Sequence, residues 1–374
     1  MSNEPIRVLV VDDTAIYRKI VAEALQQTPG IEIVGTAAHG RMALTQIRQL
    51  RPDIVTLDVE MPVMDGLETL RQLKRLGMSV GVIMLSAQTA DSAQATVTAL
   101  ELGALDFVLK PSAGNLAENA RKLRESLASR VISLGRVQRI RQVLGGAVRH
   151  PASAPTTPGR VPAGAAGSGP RPAPRTLVPP RVVAIGISTG GPQTLQRLIP
   201  RLPADLSVPV LIVQHMPPVF TRSLAEDLDR RSVISVCEAA HEQPVLPGHV
   251  YIAPGGRQMR LAKEDDNLQI AITDDPRENS CRPSVDYLFR SVADVYGAHS
   301  LALIMTGMGN DGAAGCRLIR QCGGTVMAQD EQSCVVFGMP RQPIEEGLAD
   351  LVGPPERLAT EIVQLVRRKE FACR

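Results

Sequence analysis

Apolar positions fall into two textures along the chain. Short unbroken apolar runs alternate with segments whose apolar residues recur every three or four positions. The first runs are Ile6–Val11, Ile31–Thr36, Asp53–Leu57, Val80–Leu85 and Leu105–Leu109. Helical patterns lie between them at Ala15–Gln27, Arg41–Leu50, Gly66–Leu76 and Thr89–Leu102, and another begins at Asn115. Strands that are apolar throughout, rather than alternating, are buried on both faces. Five such βα units predict a parallel sheet with helices on both sides.

Residues 115–144 continue as an amphipathic helix. Leu116, Ala120, Leu123, Leu127, Val131, Leu134 and Val137 recur at helical spacing, with most of the arginines on other faces. Residues 145–180 then hold nine Pro and six Gly in 36 positions. That density without a period predicts a flexible linker. The βα texture returns at Arg181. Strand-like runs are Val182–Ile187, Val208–Gln214, Ser232–Cys237, Val250–Ala253, Leu268–Thr273, Leu301–Thr306 and Gly324–Ala328. Helices are expected at Gln193–Leu198, Phe220–Arg230, Ser284–Tyr296, Ala313–Gln321 and Glu356–Arg368. The expected organisation is an α/β domain over 1–120, a helix and basic linker over 121–180, and a second, mostly parallel α/β domain over 181–374. No internal repeat relates the halves.

The length of 374 residues leaves each domain room for a core of its own. Trp is absent and aromatics are 2% of the chain, which argues against a single-stranded nucleic-acid platform built on stacking rings. No apolar run approaches the roughly 18 residues of a membrane span. The opening MSNEPIRVLVVDD carries acids into a strand, unlike a secretory signal. Cys237, Cys281, Cys316, Cys322, Cys334 and Cys373 show no CxxC or metal-type spacing. They read as reduced, mostly buried thiols and suggest a cytoplasmic protein. Net charge is +3, but residues 121–181 carry +11 and the rest −8. That stretch reads as a solvated connector or as a dock for an acidic surface.

Ligands of an open parallel sheet bind beyond the carboxyl ends of its strands. In the first half Asp12 and Asp13 end the first strand, Asp58 the third, Ser86 the fourth and Lys110 the fifth. Converging carboxylates repel unless a cation joins them, and hard oxygen ligands at a shallow site suit Mg²⁺. A central carboxylate there attacks a phosphoryl group, with Lys110 and Ser86 stabilising the oxyanions. Through VDDTAIYR, TLDVEMPVMDG, LSAQT and DFVLKP, residues 1 to about 120 resemble response-regulator receiver domains. The resemblance implies a flavodoxin-like (βα)5 fold, with Asp58 as phosphoacceptor. It makes Asp12, Asp13, Asp58 and the Glu60 carbonyl the Mg²⁺ ligands, and Ser86 and Lys110 the phosphoryl sensors. Phe107 takes the aromatic switch position without a hydroxyl, so any switching there works by ring burial. A cis bond is expected at Lys110–Pro111.

In the second half, Gly186-Ile187-Ser188-Thr189-Gly190 follows a strand and fits G-x-S-x-G, a turn that exposes a serine hydroxyl. The same glycine-rich turn also serves as a phosphate cradle. His215 follows the apolar strand VPVLIVQ and is the candidate base. His241 and His249 flank a turn, and His39, His150 and His299 stand outside any constellation. Asp311 follows the run LALIMT and is the candidate orienting acid; Asp286, inside a helical pattern, ranks below it. Ser188, His215 and Asp311 each follow a strand at its carboxyl end, so they can share one sheet edge. Their order differs from that of α/β-hydrolases, but a triad is recognised by geometry and roles.

Through GISTGGP, VQHMPPVFT, GHVYIAPGGRQM, CRPSVDYLF and LIMTGMGNDG, residues 181 to about 370 resemble the CheB family of chemotaxis protein-glutamate methylesterases. The resemblance implies Ser188 as nucleophile, His215 as base and acid, Asp311 as its orienter, and the Thr189 and Met308 N–H groups as oxyanion hole. It also implies methyl-accepting chemoreceptors as substrate, hydrolysis of glutamyl methyl esters, deamidation of glutamines, a CheA-type histidine kinase as phosphodonor, and no cofactor for the esterase step. A receiver-controlled phosphate- or nucleotide-binding module is the alternative. A DNA-binding regulator is disfavoured, because no helix-turn-helix pattern follows the receiver and the basic segment is Pro-rich.

Overall fold

A computed structural model describes residues 4–111, 116–143, 177–264 and 267–368. The first body is built from β1 (Ile6–Val11), α1 (Ala15–Gln26), β2 (Ile31–Ala37), α2 (Gly40–Leu50), β3 (Ile54–Asp58), α3 (Gly66–Arg75), β4 (Gly81–Ser86), α4 (Ala90–Leu102), β5 (Asp106–Leu109) and α5 (Leu116–Val143). Its five strands are parallel in the order β2-β1-β3-β4-β5. Every residue of β3 and β4 is buried, as unbroken apolar runs require. The chain reverses its direction of winding at β1, so the crevice between β1 and β3 is the switch point where such sheets bind ligands. Leu123, Leu127, Val131 and Leu134 of α5 close the core against β1. The linker expected over 145–180 lies outside the described residues up to position 176.

The second body contains β6 (Val182–Ile187), α6 (Gly191–Leu198), β7 (Val210–Gln214), α7 (Phe220–Arg231), β8 (Ser235–Glu238), β9 (Gln243–Pro244), β10 (His249–Ile252), β11 (Gln258–Glu264), β12 (Asn267–Thr273), α8 (Val285–Tyr296), β13 (Ser300–Ile304), α9 (Ala313–Gln321), β14 (Thr325–Gln329), α10 (Arg341–Glu345), β15 (Leu351–Gly353) and α11 (Pro355–Arg367). Seven parallel strands lie in the order β15-β14-β13-β6-β7-β10-β8. The strand β6 is flanked by β7 on one side and β13 on the other, so the switch point lies at its carboxyl end. A separate antiparallel sheet, β11-β12-β9, stands apart from it.

Three expectations need correction. The strand expected at Ser232–Cys237 starts at Ser235: Val233 is 72% exposed, and the buried Ile234 packs into the core ahead of the strand. The strand expected at Leu268–Thr273 is one arm of an antiparallel hairpin, β11–β12; β11 carries no apolar run because it alternates Met259 and Leu261 with charged and polar residues. The cis bond among the described residues is Arg282–Pro283, not Lys110–Pro111; Lys110 instead donates its N–H to the Ser86 carbonyl and continues the ladder. None of the described helices is long and apolar enough to cross a membrane.

Candidate active site

Each parallel sheet gathers polar side chains at its switch point. In the first, the carboxylates of Asp12, Asp13 and Asp58 come within 4.8 Å of one another. Asp12 and Asp58 are buried and Asp13 is exposed. The Lys110 ammonium lies 2.7 Å from Asp12 Oδ2 and 2.6 Å from Asp58 Oδ2. Burial pushes the Asp58 carboxyl up to about 6, against the pull of Lys110. Burial works against the ammonium too, but its two carboxylates outweigh it and raise its pKa. The buried Asp12 Oδ2 accepts no further hydrogen bond. Such hard, under-satisfied oxygens fit a hard divalent cation.

The Glu60 carbonyl beside this cluster accepts no hydrogen bond from a described residue, and its side chain holds Ser92 Oγ at 3.0 Å. Ser86 ends β4 as expected, but its hydroxyl is engaged by Thr96 Oγ1 at 2.8 Å and donates to the Ala87 carbonyl. Phe107 is buried, though not inside the first body. It stacks on Phe220 of α7 with centroids 4.6 Å apart.

At the second switch point Ile187 pairs in register with Gln214, so Ser188 and His215 follow side by side. The His215 N–H donates to the Ile187 carbonyl at 3.1 Å. Gly190 has φ 76°, and a Cβ there would meet Val335 at 2.4 Å. A Cβ at Gly307 would lie 2.7 Å from the Ser188 Cβ, so both glycines keep the serine turn open. Asp311, beyond β13, places Oδ2 2.8 Å from His215 Nε2. It also accepts hydrogen bonds from Asn279 Nδ2, Ser284 Oγ and the N–H groups of Val285 and Asp286. Burial pushes Asp311 up, but these partners and His215 hold it down to about 2. Burial pushes the His215 imidazolium down, yet Asp311 and Cys281 outweigh that and raise it to about 9. The rival acid Asp286 holds Asn279 and the Gly315 N–H instead.

Among the described residues no hydrogen bond joins Ser188 to His215. The other ring nitrogen, Nδ1, faces Cys281 Sγ at 3.8 Å. The N–H groups of Thr189 and Met308 donate to no described acceptor, while both side chains are held by the first body. Thr189 Oγ1 donates to Asp106 Oδ2 at 3.0 Å, and Ser133 Oγ donates to Met308 Sδ at 3.3 Å. The seam continues through Gln193, whose Nε2 donates to the Leu100 and Ala104 carbonyls at 2.6 Å each. Glu101 accepts from Gln196 and pairs with Arg231. Above His215 opens a cleft of about 390 Å³, lined by Cys281, Arg277 and Arg282 and walled by Gln88 and Leu109 of the first body.

Residues 8–121 match the response regulator receiver domain family and residues 183–362 the CheB methylesterase family. A protein of Desulfotalea psychrophila, named protein-glutamate methylesterase/protein-glutamine glutaminase, is 45% identical over 97% of this chain and 99% of its own. This chain belongs to the CheB methylesterase family. A Bacillus subtilis relative of the same name is 42% identical over 97% of this chain and 99% of its own. The CheB methylesterase catalytic domain of Thermotoga maritima has a crystal structure that is 43% identical, covering 50% of this chain and all of that one, with a TM-score of 0.49.

The sequence reading brought together Ser188, His215 and Asp311 but passed over Cys281, Asn279 and Gln193. CRPSVDYLF marked the neighbourhood of Cys281. No spacing linked that thiol to a histidine 66 positions away.

Proposed function

We propose that this chain is a phosphorylation-activated methylesterase acting on glutamyl methyl esters of methyl-accepting chemoreceptors, and that the same site deamidates receptor glutamines. The observation that carries this is the 2.8 Å His215–Asp311 hydrogen bond beside the half-buried Ser188. With Nε2 committed to Asp311, Nδ1 remains to take the Ser188 proton. Ser188 Oγ then attacks the γ-carbonyl, and the Thr189 and Met308 N–H groups receive the oxyanion. His215 returns the proton to the departing methanol. Water, deprotonated by the same nitrogen, frees the glutamate and restores Ser188. An amide follows the same route and releases ammonia. The relatives' names carry both activities, which supports reading them as one site.

Control rests on Asp58 as phosphoacceptor from a CheA-type histidine kinase. Asp12, Asp13, Asp58 and the Glu60 carbonyl would hold Mg²⁺, which when bound neutralises charge on the phosphoryl group. On phosphorylation Lys110 would leave Asp58 for a phosphoryl oxygen, and Ser86 would turn its hydroxyl from Thr96 towards it. The unphosphorylated first body walls the cleft with Gln88 and Leu109 and pins Thr189 through Asp106. Both contacts support inhibition that phosphorylation relieves, with Phe107 leaving Phe220 as the switch. Acting on cytoplasmic receptor helices, the protein would work in the cytoplasm.

The test is methanol release from methylated chemoreceptor, with and without Mg²⁺ and a small phosphodonor. Release that rises with the phosphodonor, vanishes in Ser188→Ala and loses its stimulation in Asp58→Ala supports the reading. A folded 181–374 fragment that is no faster than the unphosphorylated full chain would sink simple occlusion.

A further inference from the structure

Cys281 has no task in the mechanism above, yet it touches the catalytic ring. Its sulfur lies 3.8 Å from His215 Nδ1, the nitrogen that Asp311 leaves unoccupied. Cys281, His215 and Asp311 thus form a chain of thiol, imidazole and carboxylate, all within 4.8 Å. The order is that of a nucleophile, its base and the base's orienter. The thiol is half-buried and opens on the 390 Å³ cleft, so small molecules reach it. The segment before it is fixed. Asn279 and Ser280 both take left-handed backbone at φ 51° and 63°, and Asn279 is tied to Asp286 and Asp311. The other described cysteines lack such a base. Cys316 and Cys334 are buried, and burial pushes their thiols and that of Cys237 up. Cys322 is half-buried and stands in no such cluster among the described residues.

We propose that Cys281 is a second nucleophile of this cleft, a modification site for small soft electrophiles such as peroxides, and that capping its sulfur shuts the esterase. With a peroxide the sulfur attacks one oxygen, the S–O bond forms and the O–O bond breaks. The thiol proton passes to His215 Nδ1 and then to the departing hydroxide, which leaves as water. Sulfur is oxidised to a sulfenic acid and the peroxide is reduced. A haloacetamide reacts in the same sense: S–C forms, carbon–halogen breaks, and the halide leaves as the proton reaches His215 and then water. Either adduct stands on Nδ1, where Ser188 must deliver its proton, and fills the cleft above it.

The experiment treats the full chain with limiting iodoacetamide and follows each cysteine by peptide mass spectrometry. Cys281 should be labelled at least about tenfold faster than Cys237 and Cys322, and His215→Gln should slow it by a similar factor. Hydrogen peroxide with a sulfenic-acid trap should mark the same residue. Methanol release should fall in step with occupancy of Cys281. Cys281→Ala, read against its own untreated rate, should be insensitive to both reagents. The labelling arm needs no esterase activity, so it stands even if the esterase reading fails; the activity arm rests on that reading. Labelling no faster than at Cys237 and Cys322, or indifferent to His215→Gln, overturns the proposal. So does full labelling of Cys281 with the esterase rate intact, or equal inactivation of Cys281→Ala.

Discussion

Gln193 offers a sharp test of control, because it holds the seam without touching the reacting groups. Its side-chain amide donates to the Leu100 and Ala104 carbonyls at 2.6 Å each, where α4 of the receiver ends. A neutral hydrogen bond contributes about 1 kcal/mol net, so Gln193→Ala removes about 2 kcal/mol from the closed arrangement. At 1.4 kcal/mol per decade, the open fraction should rise roughly 30-fold while it remains small. Methanol release without phosphodonor should rise by that factor, capped by the rate of the free 181–374 fragment. Phosphodonor should then stimulate the variant less than the parent. The rest of the seam, including Phe107 on Phe220 and Asp106 on Thr189, stays in place, so the rise is partial. Glu101→Lys is the companion, since it sets an ammonium against Arg231 and should also raise the basal rate. A basal rate within twofold of the parent in both variants, with unchanged Tm and normal stimulation, would refute control by this seam.

Ser188→Ala should lower methanol release by at least about a thousandfold with the fold unchanged by circular dichroism; a milder loss would mean another nucleophile carries the reaction. Because the His215 imidazolium is raised to about 9 and only the neutral ring accepts the Ser188 proton, kcat/KM of the 181–374 fragment should climb with pH up to about 9. Asp311→Asn should be far slower and should move that limb down towards the ordinary value of about 6.5, and a flat profile in the parent would contradict the assignment. Asp58 attacks phosphorus as a carboxylate, and its pKa is raised to about 6, so phosphorylation at low Mg²⁺ should weaken as pH falls below about 6. Saturating Mg²⁺ should shift that loss to lower pH, and the rate read by phosphoprotein gel would expose a limb that ignores the metal. Asp311 is held down to about 2, so its share of stability is full above the unfolded carboxylate pKa of about 3.9 and is lost as pH falls towards 2. Melts between pH 5 and 2 should therefore fall more steeply for the parent than for Asp311→Asn, and equal slopes would remove that role.

What could be read from the sequence followed from how each residue is paid back by its neighbours. Central strands such as β3, β4, β6 and β13 are buried along their whole length, so their apolar runs are unbroken and their carboxyl ends are plain. Ser188, His215 and Asp58 sit at or just beyond such ends and Asp311 in the loop that follows one, which is why their adjacency at the sheet edge is legible in the sequence. Peripheral strands escape that logic. The strand β11 buries Met259 and Leu261 on one face and leaves Arg260 exposed on the other, a half-covered pattern that an apolar run does not mark. The seam escapes it for a different reason: Thr189 bonds Asp106, and Gln193 bonds the Leu100 and Ala104 carbonyls, across 83 or more positions, and no local periodicity encodes a partner that distant. Cys281 combines both difficulties. The composition-level reading of mostly buried thiols fits Cys316 and Cys334. Cys281 is half-buried instead, and its neighbour is set by the fold rather than by spacing: the end of β7 and the segment before α8 come together, so its sulfur faces His215.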